Sequence, residues 1–253
     1  MERRAFFGAG LAAAAAAAKT HVVTLSFDDG FKESFERTAA IHEEFGLRAC
    51  LNVIALGHMP GFAPMPRGMP DPMTPFAKGD FAMWNRLRER GHEVMPHTYD
   101  HQNLAAIPIE QAKELIEKCI EYFQEHMEGF RPEQSVYSFA YNASTPEIEA
   151  FALRRFLGIR TRGESAMNPL PRGRRATRIG CRSFGPGNCD AFLDGELNRF
   201  LDGPGGWYVF NAHGLDEEGW GPMSAAYLRS LLRRLSRMAN VAVLPAGEVL
   251  LRS

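Results

Sequence analysis

Two hydrophobic periods alternate along this chain. Runs rich in β-branched and apolar residues, such as "HVVTLSF" and "WYVFNA", are separated by stretches whose apolar residues recur every three or four positions. The runs predict strands near 21–27, 48–54, 92–95, 136–140, 157–161, 178–182, 207–211 and 241–244. The stretches between them predict helices over 32–45, 80–90, 108–128, 145–156, 190–201 and 223–239. End signals support these: Asp80 reads as an N-cap, Thr145-Pro146 opens a helix, and Gly46 and Gly91 stand just past helix ends. Strands alternating with helices predict a parallel α/β protein, and 253 residues suit one barrel-sized core. Two connections are long. The one at 57–79, rich in Pro, Gly and Met, cannot hold a regular helix, and the other, around 163–177, is basic and turn-rich.

Charge narrows the classes. Acidic and basic residues number 30 and 29, and the only basic cluster is "RGRR" at 172–175, so no stripe suited to nucleic acid is present. The opening "MERRAFFGAGLAAAAAAA" joins an arginine pair to small apolar residues and reads as an export signal over 1–18, leaving a domain at 19–253. Its Arg3-Arg4-Ala5-Phe6-Phe7 order resembles a twin-arginine signal, although Glu2 and the short length depart from that pattern. A periplasmic or extracellular protein is expected, with no membrane span in the mature chain. Of four cysteines, Cys50 and Cys119 sit in core-like runs, while Cys181 and Cys189 are close enough in sequence for a surface disulfide.

The candidate chemistry gathers where strands end. "SFDDG" places Asp28 beside Asp29, and such neighbours need a cation, a shared proton or separate tasks. In "HTYDH", His97 and His101 are four apart, a spacing that on a helical turn brings both rings to one face, where they can share a metal. Tyr141 and Asn142 follow "SVYSFA", Arg160 and Arg162 follow "FLGI", and His213 follows "WYVFNA". In parallel α/β barrels the loops at these strand ends converge on one face. Two histidines and one carboxylate leave a position open on Zn²⁺, and the second carboxylate is free to act as a base. Thr98 is expected to order the histidine turn through the backbone. His21, His42, His58, His92 and His126 read as structural or surface residues, and Trp84 and Leu87 as core. Trp207 suits either the core or a ligand subsite, and Trp220 offers a flat apolar ring for stacking.

"SFDDG" and "HTYDH", in this order, resemble the first two motifs of the polysaccharide deacetylases, the NodB-homology proteins of carbohydrate esterase family 4. "RERGHEVMPHTYDH" and "NAHGLDEEGWGP" resemble further family segments. The resemblance implies a distorted or incomplete (β/α) barrel of seven to eight strands. It implies Asp28 as general base, Asp29, His97 and His101 as ligands of a divalent metal, most simply Zn²⁺, and His213 as general acid. The substrate would be an acetylated glycan losing N-acetyl groups. The same site could serve an O-acetyl glycan esterase, and a non-catalytic carbohydrate-binding member is the remaining alternative. The family's third motif, commonly R-P-P-Y-G, is matched only by "SFAYNAS". That leaves Tyr141 and Asn142 as oxyanion or substrate residues and Arg162 as the expected replacement for the arginine that holds the base.

Overall fold

The computed structural model describes residues 19–63, 75–173 and 176–252. The export signal expected at 1–18 lies outside the described residues. Strand β1 (His21–Phe27) is the axis of the fold. Along one edge it pairs in parallel with all seven residues of β8 (Gly206–Ala212). Its other edge is shared: β9 (Val241–Val243) pairs with His21–Val23, and β2 (Cys50–Val53) takes over at Ser26 and Phe27. Next to β2 runs β3 (Glu93–Pro96). A second group holds β4 (Val136–Ser138), β5 (Gly158–Arg162) and β7 (Thr177–Cys181), all parallel.

The two groups meet unevenly. Past the end of β7, Arg182 forms a single bridge to Phe210, with Asn211 N–H donating to its carbonyl at 2.8 Å. Between β3 and β4 no backbone ladder forms among the described residues, and the Val136 N–H donates instead to Met95 Sδ at 3.1 Å. The result is a distorted parallel α/β barrel open at that seam. The eight expected strands are the eight parallel ones. The short antiparallel β6 (Met167–Asn168), paired with β8, carries no hydrophobic period and was not expected.

Helices α1 (Lys32–Glu43), α2 (Phe81–Glu89), α3 (Ile109–His126), α4 (Pro146–Leu153), α5 (Asp190–Leu201) and α6 (Ala225–Ser236) cover the outside. Their apolar stripes meet outward-facing strand residues such as Val23, Leu25, Phe27, Leu51 and Phe210. Asp80 accepts from Met83 N–H at 2.8 Å and Thr145 from Ile148 N–H, so both helix starts follow from their caps. The unexpected α7 (Ala246–Leu251), too short to show a period, plugs the bottom of the barrel with Ala246, Val249 and Leu250.

The barrel interior is layered by the period of two. Near the plug the inward residues are apolar: Val22, Val136, Ile179, Trp207 and Val209. One or two pleats higher the same faces present Ser26, Asn52, Ser138, Arg160 and Asn211, all buried. A polar interior of this kind is stable only if its groups find one another.

Candidate active site

They do, around Asp28. The Asn52 amide donates to Asp28 Oδ1 at 2.9 Å, the Asn211 amide to Oδ2 at 2.7 Å, and the Arg160 guanidinium to the same Oδ2. Arg160 is fully buried, and its other nitrogens reach Ser138 Oγ at 3.1 Å and Asn142 Oδ1 at 2.9 Å. The Ser138 hydroxyl in turn donates to Asn52 Oδ1 at 3.1 Å, which closes a ring of side chains from β2, β4, β5 and β8. Charge-assisted bonds from a buried guanidinium keep the arginine protonated, with burial opposed by Asp28.

Asp29 is held differently. Its Oδ1 is buried and has no hydrogen-bond donor among the described residues. Instead His97 Nε2 stands 3.4 Å away and His101 Nε2 3.5 Å away. His97 Nδ1 lies 3.0 Å from the Ser138 carbonyl, which can only accept, so neutral His97 carries its proton there and turns a bare Nε2 toward Asp29. In that neutral form the lone pairs face one another across about 3.4 Å, an arrangement that a cation resolves. The ligand atoms of Asp29, His97 and His101 all lie within 4.8 Å of one another, so the residues present fit a divalent metal. Burial works against the charge on Asp29, and the imidazoles of His97, His101 and His213 outweigh it, holding the carboxyl well below its usual range. Burial pushes His101 down to about 4, so it is neutral and able to ligate at neutral pH. His97 is raised because Asp28 and Asp29 outweigh its own burial.

The local backbone that brings these groups together is strained. Among the described residues six that are not glycine have positive φ, and five border this site: Asp29 (78°), Thr98 (64°), His101 (61°), Tyr141 (58°) and Asn142 (50°). The histidine turn is therefore not helical. Two left-handed residues bend it, and Thr98 Oγ1 accepts the His101 N–H at 3.0 Å, as expected of Thr98.

Several expectations need correction. Arg162 was expected to hold the base, but its side chain is exposed, one pleat beyond the top of the barrel. Arg160, on the same face of β5 and one pleat lower, makes that contact. Asn142 is not an oxyanion donor: its N–H goes to the Phe139 carbonyl at 3.1 Å, its Nδ2 to Asn211 and its Oδ1 to Arg160. Tyr141 is 40% exposed at the rim, its ring 4.8 Å from that of His101. Trp220 is half-buried with its ring edge-on to His213 at 5.4 Å. Trp207 is core, with Nε1 donating to Thr24 Oγ1 at 2.8 Å. Cys181 and Cys189 form no surface disulfide. Both are free and buried, and Cys181 Sγ sits 3.2 Å from Asn142 Oδ1.

Asn52 and Asn211 were missed altogether. Their signal was a lone amide inside an otherwise apolar strand, "CLNV" and "VFNA". Of the long 57–79 connection the described ends both flank the site. Leu56 N–H donates to the Tyr99 carbonyl at 2.9 Å, Lys32 N–H to Ala77 at 2.9 Å, and Gly79 N–H to Gly30 at 3.0 Å.

Residues 15–158, more than half of the chain, match the family model described as polysaccharide deacetylase. The chain belongs to the polysaccharide deacetylase family. No curated protein matches it in sequence. Among solved structures it is similar to a Mycobacterium smegmatis protein assigned as a polysaccharide deacetylase, at TM-score 0.70 and 16% identity over 97% of this chain and 93% of that one. The peptidoglycan N-acetylglucosamine deacetylase Bc1960 follows at TM-score 0.59 and 14% identity, over 93% and 90%. A family 4 acetyl xylan esterase from Clostridium thermocellum, solved with a cobalt ion, gives TM-score 0.58 and 14% identity over 91% of each chain. At these identities the likeness is one of fold, and it places this chain among NodB-like barrels.

Proposed function

We propose that this protein is a metal-dependent hydrolase that removes N-acetyl groups from an exported glycan. The observation that carries this reading is the buried, donorless Asp29 Oδ1 facing two imidazole nitrogens, beside a second aspartate saturated with donors. Asp29, His97 and His101 would hold the divalent metal, most simply Zn²⁺, which when bound polarises the acetyl carbonyl and acidifies a water. Asp28, its anion oriented by Asn52, Arg160 and Asn211, takes the proton of the attacking water at a carboxylate oxygen. His213 gives a proton to the amine nitrogen as the C–N bond breaks, since an amine anion is too poor a leaving group to depart unaided. Tyr141, whose ring borders His101, is the proposed rim contact for the acetyl oxygen and sugar, and Trp220 is a flat surface for a pyranose face.

Export rests on the Arg-Arg and alanine-rich opening of the sequence. Among the described residues no helix is long and apolar enough to cross a membrane. A second reading, O-acetyl ester hydrolysis, is favoured by one detail: His213 Nδ1 is buried without a hydrogen-bond partner, and ester cleavage depends least on that histidine. The similar structures include both a peptidoglycan N-acetylglucosamine deacetylase and an acetyl xylan esterase. The test is acetate release by the zinc-loaded chain from N-acetylated and O-acetylated glycans. Release that Asp28→Asn reduces by about 10²–10⁴-fold, with zinc still bound, supports hydrolysis through this site. Zinc binding without release from any glycan of the panel would count against it.

A further inference from the structure

Helix α1, directly after the Asp28-Asp29 pair, begins without a cap of its own. Its N-cap position is Phe31, whose side chain accepts nothing. The N–H that an N-cap side chain would normally satisfy belongs to Ser34, and it is taken by a residue from the far end of the chain. Ser34 N–H donates to Glu218 Oε2 at 2.9 Å, and the Ser34 hydroxyl donates to the same oxygen. The Ser34 Oγ also accepts the Leu215 N–H at 2.7 Å. One helical turn on, Arg37 pairs with Asp216 at 2.6 Å, and the other Asp216 oxygen takes the Ala225 N–H at 2.9 Å. The loop gripped in this way, 213–221, begins with His213.

Glycines bring the loop in closely. A Cβ on Gly214 would collide with the Glu218 carbonyl oxygen. Gly219, at φ 82°, lies where a Cβ would come within 2.6 Å of the Phe31 ring and 3.5 Å of His213 Cβ. The ring of His213 has no comparable anchor. Among the described residues its Nδ1 is buried without a hydrogen-bond partner, and its ring meets Trp220 of the same loop edge-on. A histidine that must aim a proton is ordinarily oriented by a hydrogen bond on its other nitrogen.

We propose that the Ser34–Glu218 clamp is the positioning device for His213. It replaces an acceptor on the ring by fixing the backbone on the C-terminal side of the histidine to the helix that follows the metal-site aspartate. The inference rests on the reading of His213 as general acid. Glu218 and Ser34 act through the loop and touch no substrate.

The test compares Glu218→Ala, Glu218→Gln and Ser34→Ala on two substrates, an N-acetylated chitooligosaccharide and 4-nitrophenyl acetate, whose leaving group departs without a proton. Glu218→Ala should lower kcat on the amide by about 10–100-fold, leave KM and zinc content unchanged, and leave the aryl ester within about twofold. Glu218→Gln keeps an acceptor for the Ser34 N–H and should recover most of the loss. On a His213→Ala background Glu218→Ala should cost nothing further. Equal losses on both substrates, or additivity with His213→Ala, would overturn the clamp while leaving the hydrolase reading intact. If His213→Ala itself spares the amide, the general-acid reading fails and the clamp with it. If the chain releases no acetate at all, the ring ¹⁵N shifts of His213 decide: a change in Glu218→Ala upholds the clamp, and identical spectra overturn it.

Discussion

Asp28 receives hydrogen bonds from three side chains on three different strands, whereas His213 Nδ1 is buried and receives none. Asp28, the proposed base, belongs to the barrel interior, where the period of two stacks Ser138, Arg160 and Asn211 into one polar layer above an apolar one. His213, the proposed acid, belongs to a loop that is tied to α1 through Ser34. The first arrangement couples chemistry to the stability of the whole fold. The second predicts that His213 is dispensable to folding.

That contrast can be tested by denaturation and activity together. The largest effect is expected from Arg160→Ala, which leaves the buried Asp28 without its cation and should destabilise the protein by about 3–5 kcal/mol in a urea titration. Arg160→Lys should not rescue it fully, because an ammonium cannot span Ser138, Asn142 and Asp28 as the planar fork does. Asn211→Ala should cost about 1–3 kcal/mol and slow amide and ester substrates alike, because the base serves both. His213→Ala should change stability by less than about 0.5 kcal/mol and slow amides selectively. A His213→Ala variant as unstable as Asn211→Ala would erase the distinction between barrel-held base and loop-held acid.

The smallest effect concerns the opposite end of the barrel. Burial pushes Glu93 up to about 7, against the N–H groups of Gly247 and Glu248 that favour its charge. A carboxyl raised in the folded state contributes stability that is full below its unfolded value of about 4.5 and is lost as pH rises through about 7. The melting temperature should therefore drift down between about pH 5 and pH 8, and Glu93→Gln should flatten that drift. Buried His42, pushed down to about 4, acts with the opposite sign, losing its contribution as pH falls below about 6.5.

Much of this architecture was legible because apolar runs and helical periods are local signals. The eight parallel strands and six of the helices follow from them, and Asp28, Asp29, His97 and His213 were marked by standing where strands end. What failed was non-local. Choosing Arg162 over Arg160 required knowing how far β5 rises before it leaves the barrel, and parity along the strand cannot distinguish residues two apart. A more physical clue was available: Arg160 lies inside a strand buried on both sides, and a charge there must have a partner. The same clue would have raised Asn52 and Asn211. The pairing of Ser34 with Glu218 left no trace in spacing, since it joins a helix start to a loop most of a chain away.

The ladder between β1 and β8 ends with Phe27 opposite Ala212, and Asp28 N–H still donates to the Ala212 carbonyl at 2.9 Å. Asp28 and His213, the proposed base and acid, are thus neighbours in register, each the first residue past the end of its strand. Their offset is quantised. A slip of one residue turns every inward side chain outward, and a slip of two displaces one partner by about 7 Å, too far for either to share a substrate bond. The β1–β8 ladder fixes that offset directly, so a change of length in the 57–79 connection leaves Asp28 and His213 in the same relative register.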